Sequence, residues 1–173
     1  MPVSLVLLVA SRVGSAQGAP SGSADRARAV AAAKQIMRMA RYATLVTIGD
    51  DGQPQARIVD PHAPDPDLTI WIATNPLTRK VHEIRRDPRV TLLYFNAPGA
   101  EYVTVIGRAG VVTDTAERIR HWKPAWAPFY KHGPRGDDYL LVRVEPRHLE
   151  VVSPGRGING DAKTWKPTII TVP

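Results

Sequence analysis

Residues 89–113 read RVTLLYFNAPGAEYVTVIGRAGVVT, and this stretch decides the fold class. It contains two runs rich in β-branched and aromatic residues, Arg89–Phe95 and Tyr102–Thr113, which is the composition of strands. Gly107 and Gly110 interrupt the second run at positions where a bend or a β-bulge is expected. The stretch therefore predicts two strands of a β protein.

Elsewhere in the chain, the same criteria predict more strands than helices. Further strands are predicted at Ala43–Gly49, Gln53–Val59, Leu68–Thr74, Tyr139–Val152 and Thr168–Val172. Helices are predicted over Ala24–Ala40 with Ser23 as N-cap, from Asn75 (N-cap) and Pro76 to Arg86, and from the Asp114/Glu117 capping box towards Trp122. Six or seven strands, several of them consecutive, predict an antiparallel β-barrel rather than a βαβ sheet.

Composition limits the classes of function. The 173 residues, 43% of them hydrophobic, suffice for one domain with a core. The net charge of +7 favours anionic partners, although the cations are too scattered to predict a nucleic-acid surface. The absence of cysteine excludes disulfides, iron–sulfur clusters and thiol nucleophiles. The five histidines show no metal-binding spacing, so no metal site is predicted.

Residues 1–24 differ from the remainder, which forms the predicted domain 25–173. The apolar run Pro2–Ala10 precedes a stretch of small residues, as in a secretory signal, but no Lys or Arg precedes the run. Two interpretations stay open, an exported protein or a cytoplasmic one with a disordered leader. The run is shorter than the ~20 residues that span a bilayer, and no membrane association is expected.

The sharpest local signal is the segment Thr74–Lys80, which reads TNPLTRK. A strand ends and a helix begins here, so free backbone N–H groups and the helix dipole favour an anion. Thr78 can donate a hydrogen bond, Arg79 a bidentate fork and Lys80 a point charge. The segment predicts a phosphate site, although a solvated helix start would have the same composition.

Arg57 is a second candidate for contact with an anionic ligand. Period-two alternation places its side chain on the same face of the strand as Gln55 and Val59. If that face lines a cleft, Arg57 contacts a bound anion or ring; otherwise it is a surface arginine. The residues alone leave both interpretations open.

Three blocks in this order and spacing resemble the pyridoxamine 5′-phosphate oxidase-like flavin-binding proteins, in particular the general stress protein 26-like branch. They are residues 43–57 (ATLVTIGDDGQPQAR), 70–95 (IWIATNPLTRKVHEIRRDPRVTLLYF) and 103–114 (VTVIGRAGVVTD). The resemblance extends from about Ala40 to Val152. It implies a mainly β fold, a six-stranded antiparallel split barrel that pairs as a homodimer with FMN between the protomers. The cofactor-binding residues that it implies are Arg57, Thr74, Asn75, Thr78, Arg79, Lys80 and, from the partner chain, Trp165.

The resemblance implies a flavin-dependent oxidoreductase acting on a small organic substrate, with catalytic residues unidentified. It does not extend to vitamin B6 oxidation, because the Arg-x-His substrate motif of that enzyme is replaced by the adjacent pair Arg147-His148. Two alternatives remain, a split-barrel reductase that uses the deazaflavin F420 and a non-enzymatic flavin-binding or stress protein. A flavin carries redox chemistry itself, so the lack of an evident acid–base pair fits each of them.

Overall fold

The computed structural model describes residues 22–172. The strands are β1 (Ala43–Ile48), β2 (Pro54–Val59), β3 (Ile70–Thr74), β4 (Arg89–Asn96), β5 (Glu101–Val112), β6 (Leu140–Val152) and β7 (Thr168–Thr171). The helices are α1 (Ser23–Ala40), α2 (Arg79–Arg86) and α3 (Thr115–Arg120), with short 3₁₀ turns between β4 and β5, after α3 and after β6. The predicted strands are all present, with ends shifted by one or two residues.

The strands form one antiparallel sheet in the order β2-β1-β4-β5-β6-β3, and β7 also pairs with β6. The long strand β6 pairs with β3 through its first half and with β7 through its second half. An isolated bridge between Pro61 and Ile72 links the chain after β2 to β3, the opposite edge of the sheet. The sheet is therefore curled into the split barrel that the sequence predicts, and the fold is mainly β.

The interior of the barrel is built from alternate residues of each strand. Leu45 of β1 lies opposite Leu92 of β4, and both are almost fully buried. Helix α1 closes the barrel with an alanine-rich face and the buried side chain of Ile36. Short alanine side chains let the helix backbone approach the strands closely, so this helix completes the core.

Gly107 interrupts the pairing of β5 with β6, as the sequence predicts. The register between the two strands shifts between Ile106 and Gly107. A Cβ atom on Gly107 would lie 2.3 Å from the backbone oxygen of Glu145, closer than any side chain tolerates. The bulge therefore depends on glycine at this position.

Two predicted helix starts are wrong. Helix α2 begins at Arg79 with Thr78 as N-cap, not at Asn75-Pro76. Asn75 instead forms a turn, because its side-chain Oδ1 accepts a hydrogen bond from the Leu77 N–H at 2.9 Å and its carbonyl accepts one from Thr78. At α1, Ser23 lies inside the helix and Gly22 is the N-cap. The predicted cap at Asp114 is confirmed, since its carboxylate accepts from the Glu117 N–H at 2.8 Å.

The predicted leader falls almost entirely on residues 1–21, which lie outside the described residues, so it stays a prediction. Helix α1 already begins at Ser23, inside the predicted leader boundary. Among the helices of residues 22–172, none has both the length and the hydropathy that a membrane span requires.

A second, aromatic cluster covers the outer face of β3. The segment between α3 and β6 packs Trp126 and Tyr139 against Trp71. The ring of His121 stacks on Trp71 with a centroid separation of 3.9 Å, and the His62 ring nitrogen Nε2 lies 2.8 Å from the His121 carbonyl oxygen. Trp71 and Trp126 therefore serve the packing of this cluster.

This cluster predicts a loss of stability at mildly acidic pH. Burial lowers the pKa of His62, Lys123 and His121 lower it further, and the hydrogen bond to the His121 carbonyl and the charge of Asp60 oppose them. At mildly acidic pH the imidazole of His62 therefore binds a proton in the unfolded chain but not in the folded chain. The contribution of His62 to the free energy of unfolding is complete above its unfolded pKa of about 6.5 and is lost as the pH falls below that value. We expect urea-unfolding midpoints measured from about pH 8 to about pH 5 to fall less in His62→Gln than in the wild type. Parallel pH profiles for the two proteins would contradict this prediction.

Candidate anion-binding site

The residues predicted to bind an anion meet where the start of α2 packs against β1, β2 and the end of β3. We call this group the α2 cluster. Its members are Thr47, Arg57, Thr74, Thr78, Arg79, Lys80 and Glu83. It combines three cations, three hydroxyl groups and one carboxylate.

Glu83 lies at the centre of the α2 cluster, with only 2% of its side chain exposed. Its Oε2 accepts hydrogen bonds from the Thr47 hydroxyl and, at 2.7 Å, from the Arg57 guanidinium. Arg57 also donates to the Thr47 hydroxyl oxygen, which closes a ring of three hydrogen bonds. The guanidinium of Arg57 is therefore fixed, because two of its nitrogens are held by buried acceptors.

Arg79 contacts the other oxygen of the same carboxylate. Its Nε lies 2.9 Å from Oε1 of Glu83, one helical turn away, but 65% of the Arg79 side chain is exposed. The contact is an ion pair without an aligned hydrogen bond, since Oε1 is buried and lacks a hydrogen-bond partner among the described residues. Arg79 is thus held far less firmly than Arg57.

Lys80 is held by the end of β3 rather than by the carboxylate. Its Nζ donates to the Thr74 hydroxyl at 2.9 Å, and the Thr74 and Thr78 hydroxyl oxygens are 3.0 Å apart. Thr78 donates in turn to the carbonyl of Asn75 at 2.8 Å. Burial lowers the pKa of Lys80, the neighbouring Arg57 lowers it further, and Glu83 raises it. The ammonium group is consequently costly to keep charged, and a bound anion would stabilise it.

The charges of the α2 cluster do not balance. Three cations (Arg57, Arg79 and Lys80) and one carboxylate (Glu83) leave a net charge of +2. The positive end of the α2 dipole adds to this excess. A partly buried site with two surplus positive charges favours a doubly charged anion such as a phosphate monoester.

The structure brings together five of the seven predicted cofactor-binding residues. Arg57, Thr74, Thr78, Arg79 and Lys80 belong to the α2 cluster. The side chain of Asn75 turns instead to the backbone of the loop. Trp165 lies in a separate turn with 84% of its surface exposed, and within residues 22–172 no hydrogen bond or aromatic pair joins it to the cluster.

Sequence reasoning missed Glu83 and Thr47. Glu83 follows Arg79 at the i,i+4 spacing of a helical ion pair, which is the signal that would have drawn attention to it. Thr47 alternates with Val46 and Ile48 along β1 and points into the barrel. Inward-facing polar residues on a strand require hydrogen-bond partners, so Thr47 indicates a buried polar group nearby.

A separate group, His132, Asp137 and Asp138, places potential ligand atoms within 4.8 Å of one another. The prediction from histidine spacing did not include it, because two of its members are aspartates. A hydrogen bond of 2.8 Å between His132 and Asp137 accounts for this arrangement without an ion. His132 and Asp137 are exposed and Asp138 is partly buried, and we assign no metal to this group.

Comparison with known proteins agrees with the fold. The fold is a split barrel, and its α2 cluster carries a net charge of +2. The sequence profile of the family described as pyridoxamine 5′-phosphate oxidase matches residues 29–153, and the chain belongs to that family. Among curated proteins no sequence matches.

Solved structures share the fold at low sequence identity. A Clostridium acetobutylicum protein related to general stress protein 26 of Bacillus subtilis has a TM-score of 0.70 at 14% identity, covering 85% of this chain and 96% of its own. General stress protein 26 of Bacillus anthracis has a TM-score of 0.62 at 19% identity, with coverages of 73% and 92%. A Nostoc punctiforme protein described as pyridoxamine 5′-phosphate oxidase-related and FMN binding has a TM-score of 0.62 at 17% identity, with coverages of 72% and 82%.

Proposed function

We propose that this protein binds FMN through the α2 cluster and acts as a flavin-dependent oxidoreductase on a small organic substrate. The observation that carries the proposal is the surplus of two positive charges around the buried Glu83. FMN ends in a phosphate monoester, which carries a charge of about −1.5 to −2 at neutral pH. Membership of the family and the FMN-binding description of the Nostoc relative support the same cofactor.

We assign residues of the α2 cluster to the two ends of such a cofactor. Arg79, Lys80 and Thr78 would hold the phosphate, and Arg57, whose guanidinium is fixed by Glu83 and Thr47, would contact the ring. When bound, the flavin supplies the electron transfer. The protein's own task is then to hold the phosphate, orient Arg57 and exclude water from the barrel side of the site.

We test cofactor choice by titrating the protein with FMN, riboflavin and F420 and following the change in fluorescence of each. FMN should bind well and riboflavin weakly, since riboflavin lacks the phosphate. Steady turnover with NAD(P)H and an electron acceptor then separates an enzyme from a flavin-binding protein. Tight F420 binding without FMN binding would favour the deazaflavin reductase instead.

We also propose that a second copy of the chain covers the outer face of β1, β2 and β4. The exposed apolar residues Ile58, Leu93 and Phe95 lie on this face, and Phe95 is 58% exposed. Thr44 pairs with both Ile58 and Leu93, so these two residues lie in one row across the strands. A contiguous apolar surface of this kind is typical of a protein interface.

Phe95→Asp is expected to convert the dimer to a monomer, because the new carboxylate would be buried without a partner in the interface. Size-exclusion chromatography with light scattering measures the mass. Phe129→Asp is the matched control, since Phe129 is also exposed (76%) but lies on the segment between α3 and β6. A wild-type monomer, or loss of the dimer in Phe129→Asp as well, would contradict the proposed face.

Trp165 is proposed to contact the flavin of the partner protomer. Its backbone has a positive φ of 58°, and Asp161 holds the turn by accepting hydrogen bonds from the Lys163 and Thr164 N–H groups. The exposed indole is therefore presented by a firmly hydrogen-bonded turn. If the contact exists, Trp165→Ala should increase the fluorescence of bound FMN, because stacked tryptophan quenches it. Unchanged fluorescence at full occupancy would contradict the contact.

A further inference from the structure

Glu83 is the one negative charge in the α2 cluster, and its geometry gives it a defined task. Both partners of its Oε2, Thr47 and Arg57, are themselves held in place. Its Oε1 faces Arg79 at 2.9 Å without an aligned hydrogen bond. With 2% of the side chain exposed, water does not screen this charge effectively. Glu83 is therefore a fixed, buried counter-charge beside three cations.

We propose that the α2 cluster selects phosphate monoesters over phosphodiesters through its net charge of +2, and that Glu83 limits this selectivity by lowering the charge of the site from +3. The inference rests on the proposed anion site and deepens it. A monoester is close to a dianion at neutral pH, whereas a diester carries a single charge on its phosphate. FMN ends in a phosphate monoester, whereas F420 contains a phosphodiester and FAD contains a pyrophosphate in which each phosphate carries a single charge.

The selectivity follows from Coulomb's law. The attraction between site and ligand scales with the product of their charges, so each added site charge stabilises a dianion twice as much as a monoanion. Glu83 removes one unit of that charge and holds Arg57 in one orientation. Arg79, which is exposed and poorly aligned with Oε1, is the cation that can turn from Glu83 to a bound phosphate. Glu83 is thus a positioning residue that does not contact the ligand.

The test compares methyl phosphate with dimethyl phosphate in phosphorus NMR titrations at about pH 8, where the monoester is a dianion. The wild type is expected to prefer the monoester by about tenfold or more. Glu83→Gln raises the charge of the site and should increase the ratio of monoester to diester affinity several-fold. Arg79→Gln lowers the charge of the site and should decrease that ratio.

Glu101→Gln is the matched control. Glu101 is also buried and paired with an arginine, but its partners are Ser153, Asn96 and Arg156. Its ratio should equal that of the wild type.

A pH profile separates charge-setting from a structural role. Glu83 raises the pKa of Lys80 against burial and Arg57. In Glu83→Gln the pKa of Lys80 should fall. As the pH is raised, the variant should therefore lose methyl phosphate binding at a lower pH than the wild type does. If Glu83 had only a structural role, the pH at which binding is lost on the alkaline side would be the same in the variant and the wild type.

Opposite results overturn the inference. They are equal binding of the two esters by the wild type, a ratio that Glu83→Gln leaves unchanged or narrows, or a ratio that Arg79→Gln does not narrow. If circular dichroism shows Glu83→Gln to be unfolded, Arg79→Gln decides alone, since its side chain is largely exposed. If FMN does not bind but the ester ratios are as expected, the proposed flavin function is wrong, whereas the inference that the charge of the site sets its preference for monoesters is supported.

Discussion

The double variant Arg79→Gln/Lys80→Met is expected to bind FMN at least about 100-fold more weakly than the wild type. Each side chain would contribute a charge-assisted hydrogen bond to the phosphate, worth about 1.5–3 kcal/mol, and about 3 kcal/mol corresponds to roughly two powers of ten. Lys80 is half-buried beside Thr74, so methionine preserves its packing while removing the charge. Fluorescence titration with FMN measures the loss.

Two controls give this result its meaning. Riboflavin, which has no phosphate, should bind the variant and the wild type alike. The variant Arg85→Gln/Lys131→Met removes the same two units of charge from exposed positions, and neither residue forms an ion pair within residues 22–172. It should retain wild-type FMN affinity. An equal loss in that variant, or an equal loss for riboflavin, would contradict a local phosphate site.

Gly107→Val is expected to destabilise the fold by about 3 kcal/mol or more, near the upper end of overpacking effects. Its Cβ would lie 2.3 Å from the Glu145 oxygen and 3.0 Å from the Cα of Pro146, both of which are backbone atoms that cannot turn aside. Urea unfolding measures the change in the free energy of unfolding.

Gly110→Val is the matched control on the same strand. A Cβ at Gly110 has open space around it, and the residue is exposed. Valine there should change stability by less than about 1 kcal/mol, in keeping with its preference for strands. Similar losses in the two variants would show that the bulge at Gly107 does not depend on glycine.

The sheet could be predicted because its signals are local. Runs such as Arg89–Phe95 carry β-branched residues between turn formers, and Gly107 marks its bulge within a single strand. The pairing order of the strands, and the bridge between Pro61 and Ile72 that curls the sheet, depend on contacts distant in sequence. The resemblance to a family implies the split barrel, but not the order in which its strands pair.

The start of α2 shows where local rules compete. Asn75 and Pro76 satisfy the statistics of a helix N-terminus, but the Asn75 side chain forms an Asx turn that delays the helix to Arg79. The delay matters for the site, because it places Thr78 at the N-cap, where its hydroxyl contacts Thr74.

The cations of the site were visible in sequence and its carboxylate was not. Arg79 and Lys80 are adjacent and follow a turn, whereas Arg57 and Glu83 are 26 positions apart and meet only through the packing of α2 on β1 and β2. Whether Arg57 faces a cleft or solvent depended on that packing. Its ion pair with Glu83 turns it to the barrel side. The role of Trp165 depends on a second protomer and stays a prediction.

The most direct measurement is an absorption spectrum of the purified protein, followed by mass identification of any compound released on denaturation. We expect a yellow protein that shows the absorption bands of oxidised flavin and releases FMN on denaturation. A colourless protein that also fails to bind added FMN would contradict it.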